Sequence, residues 1–141
     1  MDIQQLIDQY HKSADQFSRG NPEPIKLLYS HGDDAFLANP FGSTVIGWTQ
    51  VSNALDFASS KFKDGEVTNF LLITKYFSAE LAIIFEIEKW KAKVGGREEV
   101  SSFDLRVTTT FRKEGSDWKV VHRHADPIGS FNADGPLRGD L

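Results

Sequence analysis

Four long stretches, EVTNFLLITKYF, LAIIFEIEKWKAKV, REEVSSFDLRVTTTFRK and WKVVHRHAD, fill residues 66–126 almost without interruption. They are rich in β-branched and aromatic residues, and polar and apolar side chains alternate along them. The breaks between them are Ser-Ala-Glu, Gly-Gly and Glu-Gly-Ser-Asp, each the size of a hairpin turn. Connections so short cannot carry a crossover, so consecutive runs must pair antiparallel. The second half of the chain is thereby committed to a four-stranded meander, one face of which needs a cover.

The first half supplies it. Ile3, Leu6, Ile7, Tyr10, Ala14 and Phe17 recur at spacings of three and four, one apolar helical stripe that stops at Gly20. NPEPIKLLY predicts a short second helix, with Asn21 as cap and Pro22 at its first position. After the break HGDD, the segment AFLANPFGSTVIG reads as two short strands around an Asn-Pro and Phe-Gly turn. WTQVSNALDFASSKF places Val51, Leu55, Ala58 and Phe62 on one face of a third helix, with Thr49 as cap. Helices first and a meander after give an α+β fold, N-terminal helices packed on a strongly curved antiparallel sheet. A single domain is expected over residues 1–127, and PIGSFNADGPLRGDL makes 128–141 a C-terminal coil tail.

Bulk properties narrow the function. An apolar fraction of 40% suits one sizeable core in 141 residues, and the absence of cysteine removes disulfide and thiolate chemistry. A net charge of −4 argues against nucleic acid. No stretch approaches the ~20 apolar residues of a membrane span. The N-terminus MDIQQLIDQYHKSADQF has no basic region leading into an apolar run, so no membrane association and a cytoplasmic location are expected.

Alternation sorts each strand into two faces. In LAIIFEIEKWK one face carries Leu81, Ile83, Phe85 and Ile87, the other Ala82, Ile84, Glu86, Glu88 and Trp90. In SFDLRVTTTF the split is Phe103, Leu105, Val107, Thr109 and Phe111 against Asp104, Arg106, Thr108 and Thr110. Hiding a large apolar side chain is worth about 1.5–3 kcal/mol, whereas burying an unpaired carboxylate costs more. The apolar sets are therefore expected beneath the helices. The polar sets, with Glu86, Glu88, Trp90, Arg106 and Thr108, are expected outside, as the polar-rich interface of a homodimer. The last strand divides into Val121, Arg123 and Ala125 against Trp118, Val120, His122, His124 and Asp126, and periodicity does not choose between them.

This layout of helices, short hairpin, helix and four-stranded meander resembles the NTF2-like (cystatin-like) superfamily, over nearly the whole chain up to about Pro127. AFLANPFGS, followed by Gly47 and a helix, is similar to the ketosteroid isomerase segment in which an aspartate precedes Pro-x-Gly-Ser. LRVTTTFRKEGSDWKVVHRHAD resembles SnoaL-like and DUF4440-type domains and the association domain of calcium/calmodulin-dependent kinase II. The resemblance implies a cone-shaped sheet wrapped around helices with a pocket at its mouth. It puts Asn39 where the isomerase base stands, and an amide takes no proton at neutral pH, so ketosteroid isomerase activity is not implied. The isomerase oxyanion hole, a tyrosine and a protonated acid, would map near Tyr10, about one turn early, and around Thr108 and Thr109, where no acid stands. The parity of Val121, Arg123 and Ala125 would face the pocket, which sends His122 and His124 to the dimer side.

His122, His124 and Asp126 share one strand face and could chelate a metal, but ligands from a single strand form a poor set, so a hydrogen-bonded wall is preferred and no metal or cofactor is expected. Arg123, if inward, either binds a carboxylate or enolate or is paired with an inner acid. Asn39 either orients a ligand or serves its own turn. Tyr10 and Thr109 complete the polar side of the pocket, and Phe41 and Trp48 flank its mouth as aromatic grips. Glu86 and Glu88 could form an acid–base pair, but an outward network with Arg106 and the histidines is preferred. No phosphate loop, nucleophile elbow or zinc spacing is present. The expected function is a small-molecule pocket for an apolar carbonyl- or carboxylate-bearing ligand, either as a cofactor-free isomerase, lyase or cyclase or as a non-catalytic binding or assembly module.

Overall fold

Helix α1 spans Ile3–Ser18 and begins on a capping box: Asp2 accepts from the Gln5 backbone, and the Gln5 side chain answers to the Asp2 N–H. Helix α2 covers Glu23–Leu28, with Pro22 at the cap and the Asn21 side chain accepting from Glu23 N–H. Helix α3, Trp48–Ser59, starts two residues earlier than a Thr49 cap would allow, from Gly47 at φ 91°. This left-handed conformation suits glycine. Strands follow the order β1 Phe36–Ala38, β2 Thr44–Ile46, β3 Phe62–Phe77, β4 Leu81–Val94, β5 Val100–Glu114 and β6 Asp117–Pro127. These elements come from a computed structural model that describes residues 1–129; the coil expected over 128–141 lies, from residue 130 onward, outside the described residues. No helix among the described residues is long and apolar enough to cross a membrane.

The six strands form one curved, unclosed sheet in the order β2-β1-β6-β5-β4-β3, with the helices packed on its concave face. Neighbours run antiparallel except β1 and β6, which are parallel. β3 starts at Phe62, four residues before the run read from sequence, because Asp64-Gly65 form a bulge within the strand instead of a turn before it. The register slips there and twice more along β3. Bulges bend a strand, and these curl β3 around α1, whose Asp15 carboxylate accepts from the Val67 N–H. Gly65 is the tightest point, since a Cβ there would sit 2.6 Å from the Ser18 carbonyl oxygen and 2.9 Å from Ala92 Cβ.

Cross-strand register corrects one expectation. Residues directly opposite on paired strands share a face, and Ile84 faces Thr109, Glu86 faces Val107 and Glu88 faces Leu105. Since Leu105, Val107, Thr109 and Phe111 are buried as expected, Ala82, Ile84, Glu86, Glu88 and Trp90 must be inside with them, and they are. Glu86 and Glu88 are only 2% and 1% exposed. Leu81, Ile83, Phe85 and Ile87 stand outside. Both carboxylates have partners, His11 for Glu86 and Arg123 for Glu88, so the cost of burying an unpaired charge does not arise. β6 changes parity at a bulge: Thr110 pairs with His122 but Phe111 with Val120. Val120 therefore faces the helices at one end of β6, while Arg123 and Ala125 face inward at the other.

Candidate functional site

Between α1, α3 and the concave side of the sheet lies a cavity of about 280 Å³. Five aromatic rings form much of its wall: Phe17 from α1, Phe41 from the β1–β2 turn, Phe62 from β3, Trp90 from β4 and Phe103 from β5. Trp90 holds them together, stacked on Phe103 at 5.9 Å between centroids, tilted against Phe62 at 5.1 Å and edge-on to Phe17 at 6.4 Å. Leu37, Leu55, Leu105 and Ala125 add aliphatic surface.

The inner end of this apolar chamber is polar. Arg123 meets Glu88 end-on through two parallel bonds, Nη1 to Oε2 and Nη2 to Oε1, both 2.9 Å. The Trp90 indole donates to the same carboxylate at 3.0 Å. Arg123 Nη1 also donates to the Tyr10 hydroxyl at 2.6 Å, which leaves the Tyr10 proton for Thr109 Oγ1 at 2.7 Å. Burial alone would raise the Glu88 carboxyl, but the Arg123 charge and the bonds from Arg123 and Trp90 outweigh it and hold Glu88 below the usual carboxylate range. Burial pushes the Tyr10 hydroxyl up to about 12 despite Arg123. Burial works against the Arg123 charge, yet Glu88 and Tyr10 keep the guanidinium firmly protonated. The pair is thus ionised and internally neutral.

Each residue singled out in the sequence now has a place. Arg123 is inward and paired with an inner acid. Tyr10 touches the cavity, with Thr109 fully buried behind it. Asn39 lines the cavity while its Oδ1 accepts from Phe41 N–H at 3.0 Å, so its oxygen serves the turn and its amide nitrogen makes no hydrogen bond within the described residues. Phe41 is in the wall. Trp48 is not: as the first residue of α3 it turns away and stacks on His31 at 3.8 Å. Of the residues assigned to a dimer face, Glu86, Glu88 and Trp90 are interior and cannot touch a partner. Arg106, Thr108, His122 and His124 are on the outer face, where Arg106 pairs with Asp126 at 3.1 Å and His122 stacks on Phe36 at 4.5 Å. Burial and the neighbouring His124 hold His122 below its ordinary range. Among the described residues no three His, Cys, Asp or Glu side chains are gathered to hold a metal ion.

Sequence reasoning missed the inner roles of Glu88 and Trp90, and it missed the pairing of Glu86 with His11, whose Nε2 lies 3.0 and 2.9 Å from the two carboxylate oxygens. A usable signal existed. Lys93 pairs with Val100 across an even-numbered loop, residues 94–99, so odd positions on β5 oppose even positions on β4. The clear pattern of β5 could have oriented β4.

Comparison with known proteins agrees with the fold. The SnoaL-like domain family matches residues 3–128. An NTF2-like superfamily protein from Salmonella enterica serovar Typhimurium superposes with a TM-score of 0.70 at 18% identity, covering 94% of this chain and 93% of its own. A ketosteroid isomerase-like protein from Erwinia carotovora atroseptica gives 0.68 at 14% identity, covering 91% and 95%. A protein with a cystatin-like fold from Caulobacter vibrioides gives 0.65 at 18%, covering 90% and 87%. No curated protein matches the chain.

Proposed function

The chain belongs to the SnoaL-like domain family, and from that membership and the shape of its interior we propose that it binds a small apolar molecule carrying a neutral hydrogen-bond acceptor, such as a ketone. One observation carries this reading. Arg123 spends Nη1 and Nη2 on Glu88 and Tyr10, while its Nε–H has no acceptor among the described residues. Every fully buried polar side-chain atom among those residues is partnered, so Nε keeps access to the cavity. A donor whose charge is already balanced suits a carbonyl oxygen better than a carboxylate, which would have to compete with Glu88. The size also fits: an apolar cavity of roughly 150 Å³ takes benzene, and about 280 Å³ suits a fused pair of rings.

A catalytic reading, as a cofactor-free isomerase or lyase, draws on Arg123 and Tyr10 converging at the inner end of the cavity, where an oxyanion could form. The base is the difficulty. Glu88 is the only carboxylate lining the cavity among the described residues, and its basicity is lowered with both oxygens engaged. Binding without turnover is therefore the favoured reading. A thermal-melt and Trp fluorescence screen comparing 2-tetralone with tetralin tests it: the ketone should bind several-fold more tightly than the hydrocarbon, and no binding of either would sink it. Mass analysis of the same mixtures checks for turnover.

We also propose that a second copy covers the outer sheet face. Leu71 opposite Ile87 and Tyr76 opposite Ile83 are joined there by Phe85, Arg106, Thr108, His122 and His124. Leu71 and Tyr76 are exposed in the single chain, and an apolar patch of this kind marks an interaction surface.

A further inference from the structure

We infer that Arg97, at the mouth of the cavity, receives an anionic end of the ligand, so that the class bound is an amphipathic acid lying with its apolar body inward. This rests on the cavity being a ligand site, as proposed above. Three charged side chains line the cavity among the described residues: Glu88, Arg123 and Arg97. The first two cancel each other at the inner end. Arg97 stands in the β4–β5 connection, exposed, with no ion-pair partner among the described residues. Among the described residues the cavity therefore presents a neutral donor at one end and an unpaired cation at the other, with an aromatic wall between.

Chemistry orders the ligand accordingly. A carboxylate pushed to the inner end would meet the charge of Glu88 in a dry setting, which is costly. At the mouth it would keep part of its hydration and gain Arg97, with the Ser101 hydroxyl on the same rim. The length is set by the strand. Leu105, Phe103 and Ser101 line the cavity along β5, and the four steps of strand from 101 to 105, at roughly 3.3 Å each, span about 13 Å. An aryl ketone joined to a carboxylate by a short alkyl chain has that reach.

The test uses 6-oxo-6-phenylhexanoate and its methyl ester, titrated against the full chain by calorimetry at low and high salt. The acid should bind about three- to five-fold more tightly than the ester, the range an exposed ion pair supplies, and the preference should fade with salt. Arg97→Ala should abolish the preference of acid over ester while leaving the melting temperature unchanged, and Arg97→Lys should restore part of it. Equal binding of acid and ester to wild type, or a preference that survives Arg97→Ala, overturns the role of Arg97 and leaves the cavity reading standing. No binding of either compound overturns both.

Discussion

Glu88 and Arg123 illustrate why single residues resist assignment from sequence. Alone, each is a charge that belongs in water; together, locked end-on and bonded to Trp90 and Tyr10, they are an interior neutral unit. Arg123 was legible as an inward candidate and Tyr10 as a pocket residue, but no periodicity pairs Arg123 with Glu88, 35 positions away. Removing one member should expose the debt. Arg123→Ala leaves a carboxylate that is 1% exposed without its counter-charge, and should cost about 3–5 kcal/mol in urea unfolding. Arg123→Met with Glu88→Leu should recover most of that loss. If Arg123→Ala unfolds like wild type, the pair is not the structural unit described. The depressed carboxyl of Glu88 also fixes a pH dependence. Its contribution is present above the unfolded-state value of about 4.3 and is lost as pH falls through the lower folded value. Stability from this group should stay flat from neutrality to about pH 5 and then decline. Glu114, held down by Arg112 and Ser30 against the effect of burial, adds in the same direction. Glu88→Gln should start less stable and decline less steeply over that acid limb, as pH-resolved melts would show.

At the level of elements, most of the fold was readable. The stripe from Ile3 to Phe17, the Asn39–Gly42 turn and the three hairpins all appear, although β5 begins at Val100 instead of Arg97, which lengthens the second connection beyond its Gly-Gly pair. What misled was local choice between two faces that are both rich in apolar residues, as on β4, and the bulges in β3 and β6 that reset parity without announcing themselves. Asp64-Gly65 reads as a turn because Asp-Gly usually is one; it takes the packing of Ser18 and Ala92 to see why glycine is required inside a strand. Gly65→Ala should cost about 1–3 kcal/mol by overpacking, measurable by thermal or urea unfolding. A neutral effect would mean that α1 sits less tightly on β3 than its contacts indicate.

The molecule as a whole places its apolar surfaces on both sides of one sheet. The concave side closes over the aromatic cavity, and the convex side leaves Leu71, Tyr76 and Leu81 exposed. A self-associating convex face predicts a dimer by analytical ultracentrifugation, and Phe85→Glu should shift it to monomer while 2-tetralone still binds. A wild-type chain that stays single at high concentration contradicts that pairing. The cavity itself is tested most directly by following side-chain N–H signals in nitrogen-15 NMR as 2-tetralone is added. Arg123 Nε–H and the Trp90 indole should move together and saturate, while the Trp48 indole, stacked on His31 away from the cavity, stays still. Saturable shifts confined to the convex face, or none at Arg123 and Trp90, would contradict a ligand site built on the Glu88–Arg123 pair.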